Sequence, residues 1–452
     1  MREMTRRRSM TSPGPRCNVA AVAATWLVAC LALALLAAPA RAQNQAMGDE
    51  STSPDFETRW LETVGAVAAR ATTDEDTRRI RRASKEQPGL TILQLGDSHT
   101  AADFFTGELR KRLQALFGNG GAGYMTAGKP HAGVRSSTFR ITASSGWSYK
   151  SLFKATEPAD FWLSGYNAIT SDAGQTLTLE SEQGVPFDSI EIETVRQPGG
   201  GAIDIKLDGR AESHYDLKAD TTDPIVIRLD AQRAPGDKVK QIVITTTSAG
   251  TVNIASVSVY NRRSGLTYNA VGFPGAQISL LDKFDERVLA SELHRISPHI
   301  VVLAFGTNEA FREELDPEAY ARSYERTVAR IQSILPAAAI VVVSPPDSRQ
   351  HSADKSGSCG DGAWRAPPQL ARVREIQEEI AKRYKLVYWN WASIMPDECG
   401  AHRWATMSPP LMAKDHVHFT VEGYKKSAGE FLNTLIPIIR KLRSRSNVVS
   451  NN

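Results

Sequence analysis

Leu90-Thr91-Ile92-Leu93-Gln94-Leu95-Gly96-Asp97-Ser98-His99 is the stretch on which the fold turns. Residues 90–95 have the length and apolar density of a buried strand, and residues 96–100 the composition of a turn. Phe104–Phe117 follows with apolar residues at helical spacing. Strand, tight turn and helix in that order open an α/β unit. The turn leaves Ser98 at a strand's carboxyl end and beside a helix N-terminus. Ser98 is therefore either a cap or turn residue, or a nucleophile whose own backbone N–H can stabilise an oxyanion.

Outward from this unit the pattern changes. Between about His131 and Tyr260, strand-like runs alternate with Gly, Asp and Pro turns, at residues 176–179, 189–193, 203–207, 225–229, 241–246 and 252–259. Little of this has helical period, so it reads as all-β, of sandwich or jelly-roll type. The α/β pattern then returns, with strands expected at 300–305, 339–344 and 386–389 and helices at 320–335, 371–384 and 421–442. The simplest organisation is one α/β domain, residues 89–128 and 265–442, interrupted by a β domain over 129–264. Residues 443–452 are expected to be a disordered tail. No internal repeat is evident.

The 452-residue chain carries 54 Lys+Arg and 50 Asp+Glu, with 41% hydrophobic residues. That is enough apolar material for true cores, and the length suits two domains. The basic excess is local. Residues 1–42 hold Arg2, Arg6, Arg7, Arg8, Arg16 and Arg41 against Glu3, leaving 48 basic and 49 acidic residues beyond them. A remainder so near neutrality has no general attraction for nucleic acid or anionic membrane. The arginines precede an apolar run over 19–36 that ends in Ala40-Arg41-Ala42. This is the pattern of a secretory signal cleaved after Ala42, which places the mature chain in the periplasm or outside the cell. An uncleaved anchor and a lipoprotein signal at Leu27-Val28-Ala29-Cys30 are the competing readings; ten mostly apolar residues after Cys30 speak against the latter. No second apolar run of membrane length follows, so the mature chain is expected not to span a membrane. Residues 43–88 form a polar extension in which 56–71 has helical spacing. Cys359 and Cys399 remain after cleavage, and a pair in an oxidising compartment is a disulfide candidate worth about 4 kcal/mol by loop entropy.

Three further segments carry chemistry. Asp415-His416-Val417-His418 offers a base and its orienting acceptor, because residues three apart can share a side. His416 adjoins Asp415 directly and is expected to be a surface or supporting residue. Gly306-Thr307-Asn308-Glu309 follows the expected strand at 300–305, where an Asn can donate its amide to an oxyanion. Gly272-Phe273-Pro274-Gly275-Ala276 offers a loop N–H close to substrate.

Taken in order, Gly-Asp-Ser, a Gly loop, Gly-x-Asn and Asp-x-x-His resemble the SGNH (GDSL-like) hydrolases. Residues 93–123, 272–277, 305–311 and 413–424, with the Cys359-Gly360 and Cys399 pair, are similar to one branch, the bacterial O-acetylpeptidoglycan esterases. The resemblance implies a three-layer parallel-sheet fold interrupted by a jelly roll like those of carbohydrate-binding modules. It implies Ser98 as nucleophile, His418 as base and Asp415 as its orienter. Asn308 and Gly275 match the oxyanion donors alongside the Ser98 N–H, with Gly272 the alternative glycine. Asp97 belongs to the motif without an assigned step, and Glu309 stands where many relatives have Asp. The implied reaction is two-step acyl transfer through an acetyl-serine, with no metal or organic cofactor. The implied partner is O-acetylated peptidoglycan or a similar polysaccharide.

Trp147, Tyr149, Trp162 and Tyr166 are either sugar-stacking or core aromatics. Rival readings are an O-acetyltransferase with the same triad and a deacetylase of another polysaccharide. More distant are a glycan-binding protein with a decayed site and a metal-dependent phosphoesterase using Asp97, His99, Asn308, His416 and His418.

Overall fold

The computed structural model describes residues 89–450 apart from 157–160, 231–236, 263–264, 353–358 and 397–398. The expected signal segment, the polar extension and its helix at 56–71 lie outside the described residues. β1 (Leu90–Gly96) leads through a single turn, α1 (Ser98–Ala101), into α2 (Phe104–Phe117). The strand-rich stretch follows, with β2 (Gly123–Thr126), β3 (Arg140–Ala143), β4 (Ser148–Ser151), β5 (Tyr166–Thr170), β6 (Thr176–Pro186) and β7 (Ser189–Arg196). It continues through β8 (Ala202–Leu207), β9 (Arg210–Asp216), β10 (Asp223–Asp230), β11 (Lys238–Thr246) and β12 (Val252–Tyr260). Then come β13 (Leu266–Gly272), α3 (Glu286–Ile296), β14 (Ile300–Ala304), α4 (Thr307–Ala310), α5 (Pro317–Ile334) and β15 (Ala339–Ser344). A short hairpin, β16 (Gln350–His351) and β17 (Trp364–Arg365), precedes α6 (Leu370–Arg383), β18 (Val387–Asn390), α7 (Gly400–Thr406) and α8 (Val421–Ser450).

The α/β part is built around one parallel sheet of order β13-β1-β14-β15-β18. Its strands are apolar throughout because both faces are covered. Alternate side chains go to opposite layers. Leu93, Leu95, Val301 and Leu303 join a core with α3, α5 and α6, whereas Ile92, Ile300 and Val302 join one with α2 and α8. Asp285 and Asp316 cap α3 and α5 by accepting first-turn N–H bonds, and Pro317 presets the first residue of α5. Strand order reverses about β1, which lies between β13 and β14, so a crevice opens at its carboxyl end.

The strands between α2 and β13 build two antiparallel sheets. One has the order β10-β7-β12-β5-β4 with β2 also on β12; the other is β3-β6-β11-β8-β9. Ile190, Ile192 and Val257 from the first meet Leu179, Ile205 and Ile242 from the second in a common core. β2 lies within the stretch expected to belong to the α/β part, yet it pairs with β12. Tyr124 of β2 nevertheless packs into the α3/α5/α6 core. Trp147 is a core residue here, while Trp162 and Tyr166 are also buried. Tyr149 is partly buried and accepts a hydrogen bond from Lys129 N. For three of the four aromatics the core reading holds.

The other face of β7 is polar. Glu191 and Glu193 point to α3, where the Arg295 guanidinium donates to Glu191 (2.5 Å), to Glu193 and to Glu292 (3.1 Å). Tyr124 Oη and Ser256 Oγ also donate to Glu193, at 2.7 and 2.6 Å. Breaking a buried pair strands charge in low dielectric. Arg295→Met is expected to destabilise the fold by about 3–5 kcal/mol in urea unfolding. A loss below about 1 kcal/mol, the range of exposed pairs, would show the cluster to be effectively solvated.

The expected tail is corrected. α8 continues over residues 443–450, the described part of that stretch. The Arg443 guanidinium lies 4.8 Å from the centroid of the Phe117 ring, and its Nη2 donates to Phe117 O.

Candidate active site

The site is assembled at the carboxyl end of β1. Gly96 is required there, since a Cβ would collide with Thr100 Oγ1 and Ala304 O. Asp97 caps α1 by accepting from His99 N (3.0 Å). Ser98 Oγ then lies 2.9 Å from His418 Nε2, across 320 residues of sequence.

His418 sits in a tight loop before α8, closed by the bond from Ala413 N to His418 O (2.7 Å) and a bridge between Met412 and Phe419. Asp415 Oδ1 accepts from Val417 N (2.9 Å) and His418 N (3.0 Å), and Oδ2 lies 2.7 Å from His418 Nδ1. Burial would raise the Asp415 pKa, but the His418 hydrogen bond and charge and these backbone donors hold it down to about 2. An ionised carboxylate only accepts, so His418 carries its proton on Nδ1 and turns a lone pair on Nε2 toward Ser98. Burial would lower the His418 pKa; the Asp415 hydrogen bond and the charges of Asp415 and Asp97 outweigh it and raise it.

The two glycines of the 272–276 loop differ physically. Gly272 pairs with Gly96 at the strand end, and a Cβ there would strike the Ala101 backbone. Gly275 has φ +80° and open space where a Cβ would be, so its backbone alone can be approached closely. α4 holds this loop. Asn308 Nδ2 donates to Ala276 O (2.8 Å), which leaves its second amide hydrogen unused by that bond. Glu309 Oε1 accepts from Ile278 N (2.7 Å). Burial pushes the Glu309 carboxyl up to about 7 and the Asp97 carboxyl up to about 6; Asp97 is also hydrogen-bonded to His99 N and Thr307.

The remaining candidates go elsewhere. His99 is buried against Trp391, Phe419 and Tyr424, with Nδ1 2.9 Å from Tyr424 Oη. Burial and the nearby His418 charge depress its pKa to about 3. His416 is buried rather than a surface residue, and turns from Ser98 to Trp364 and His402. Cys359 and Cys399 form a disulfide with Cα atoms 5.7 Å apart. Trp364 and His402 carried no sequence signal, since they meet the site segments only through distant folding; Thr307 and Tyr424 lie inside quoted segments but carried no assigned role. Among the described residues no group of three or more His, Cys, Asp or Glu could hold a metal ion, and no helix is long and apolar enough to cross a membrane.

A strand-end serine facing a histidine–aspartate pair, on a parallel sheet at its switch point, defines an acyl-transferring hydrolase. Residues 250–426 match the model of the GDSL-like lipase/acylhydrolase family. The match omits Ser98, which the long β-rich stretch separates from it. The chain is an esterase, and its fold and site are similar to those of this SGNH type. A solved peptidoglycan O-acetylesterase is similar, at 26% identity over 81% of this chain and 96% of that one, with a TM-score of 0.65. Family two carbohydrate esterases from Clostridium thermocellum (12% identity, 66% and 99% covered, TM-score 0.28) and Cellvibrio japonicus (14%, 71% and 98%, 0.27) are also found. A search of curated proteins gives no match.

Proposed function

We propose that the protein is an exported serine carbohydrate esterase that removes O-acetyl groups from peptidoglycan. The observation that carries this is the continuous Ser98–His418–Asp415 chain of contacts, at 2.9 and 2.7 Å, in a fold similar to a peptidoglycan O-acetylesterase. In this reading His418 Nε2 takes the Ser98 proton as Oγ attacks the acetyl carbonyl. The oxyanion meets the Ser98 and Gly275 N–H groups and the free amide hydrogen of Asn308. His418 then protonates the leaving sugar hydroxyl. Water activated by His418 releases acetate from Ser98, while Asp415 holds the imidazole and its positive charge.

Residues 89–128 and 265–442 would form the hydrolase domain, with residues 129–264 as an inserted, jelly-roll, carbohydrate-binding-module-like domain. It leaves and re-enters between the Ser98 and Gly275 segments, which suits the placement of a polymer beside the site. Export rests on the N-terminal arginines, the apolar run and Ala40-Arg41-Ala42. Removal of one oxyanion donor costs about 10²–10³ in kcat. Asn308→Ala is expected to lose that much in steady-state acetate release, a loss confined to KM being the contrary result.

The test is acetate release from O-acetylated peptidoglycan, set beside acetylated xylan and beside a sugar acceptor. Preferential release from peptidoglycan supports the proposal. Preference for the xylan, or acetyl transfer to the acceptor in place of release, removes it in favour of the polysaccharide deacetylase or the transferase.

A further inference from the structure

We propose that His416 is a positioning residue for the Asp415–His418 pair, and that the Cys359–Cys399 disulfide supports catalysis by joining the two walls that clamp it. This rests on the reading of Ser98, His418 and Asp415 as the reacting groups.

His416 stands between the two residues that must hold their geometry. Its φ is +56°, a left-handed conformation uncommon for a residue with a side chain. That turn sends its imidazole away from Ser98 into a buried slot. One wall is Trp364, whose ring stacks on His416 at 3.6 Å between centroids. The other is His402, whose Nδ1 lies 3.1 Å from His416 Nε2, with the rings nearly parallel. His416 Nδ1 lies 2.9 Å from Lys414 O, which can only accept. Nδ1 is therefore the donor, and Nε2 accepts from His402. The backbone is pinned too, since His416 N donates to Ala413 O (3.0 Å) and His416 O accepts from Arg349 N (2.9 Å).

Each wall begins at a cysteine. Cys359 N donates to Trp364 O (3.2 Å), which fixes the tryptophan strand to the first half of the disulfide. Cys399 is the N-cap of α7, whose first turn carries His402. Gly360 lies so close to His402 that a Cβ there would be 2.8 Å from its Cε1. The sulfur bridge thus ties together, across His416, two segments 40 residues apart in sequence. Asp347 adds a weaker tie, pairing with Arg349 and accepting from Ala401 N (2.9 Å). Releasing the walls frees His416, and with it the turn that aims Asp415 at His418. A displacement of about 1 Å in such a pair costs up to about 10² in rate while leaving substrate contacts intact.

The experiment compares acetate release by wild type, by wild type reduced under native conditions, and by Cys359→Ser/Cys399→Ser, Trp364→Leu, Trp364→Phe and Ser98→Ala, each checked for folding by circular dichroism. Reduction, the double serine variant and Trp364→Leu are expected to lower kcat about 10–100-fold with KM unchanged. Trp364→Phe, which keeps a stacking ring, is expected to restore most of the rate. If the serine variant does not fold, Trp364→Leu with the disulfide intact and the reduced wild type provide the same reading. Wild-type kcat in both, or a loss expressed in KM, overturns the proposal. Ser98→Ala separates the two levels: if it is inactive while Trp364→Leu is fully active, only the clamp is wrong, whereas an active Ser98→Ala removes the underlying mechanism.

Discussion

Ser98→Ala is expected to lower kcat for acetate release by about 10⁴–10⁶-fold, with little change in substrate binding. Ser98 Oγ is the atom in hydrogen-bond reach of His418 Nε2, and alanine leaves that imidazole nothing to deprotonate except water. His418→Ala should fall as far, because the hydroxyl is a weak nucleophile without its base. The double variant should be no worse than either single one, since groups that act as a unit do not add. In the proposed mechanism the residual rate comes from the oxyanion donors assigned to Gly275 and Asn308, which neither change touches. Rates from purified variants on one O-acetylated substrate check this. A Ser98→Ala enzyme retaining a tenth of wild-type kcat would falsify the acyl-serine route.

Asp415→Asn should cost about 10⁴ in kcat while leaving the fold intact. Asn can present an N–H to His418 Nδ1, which drives the imidazole proton to Nε2. The atom facing Ser98 then donates instead of accepting. The same substitution carries a pH signature. His418 must be neutral to act as base, so activity falls as pH drops through its pKa. The Asp415 hydrogen bond and charge raise that pKa above its usual value of 6.5. The acid limb of kcat/KM in the wild type should therefore have its midpoint above 6.5, and in Asp415→Asn it should move to lower pH. A limb that stays in place would mean that another group controls the ionisation.

Much of this site was legible before folding was considered. The strand, turn and helix around Ser98 follow from a short apolar run, a glycine and helical spacing, and α2 falls where that spacing ends. Asp415 and His418 are close in sequence, so their pairing is a local matter. β13 was not legible as a strand. Its Thr267 and Asn269 are polar yet buried, because Thr267 Oγ1 donates to Gly120 O and Asn269 Oδ1 accepts from Tyr124 N. A polar residue satisfied by a distant backbone group carries no apolar period. β9 failed for the opposite reason. It is an exposed edge strand of Arg, Glu, Ser, His and Asp, held by pairing to β8 and not by burial. The steric difference between Gly272 and Gly275 was likewise not legible, since it lies in α1 packing on one and open space beside the other.

By itself, then, the sequence determined which residues have the chemistry and, β13 and α3 apart, which segments are the main strands and helices of the parallel layer, because apolar period and local spacing are properties of the chain. Only the tertiary structure decided that Ser98 and His418, 320 residues apart, share a hydrogen bond, that Asn308 grips the Gly275 loop, and that His416 is locked between Trp364 and His402. These contacts depend on strand order, on the register of β1 between β13 and β14, and on the packing of turns at one sheet end. No local pattern encodes such distances, because they are set by the combined burial of segments far apart in the chain.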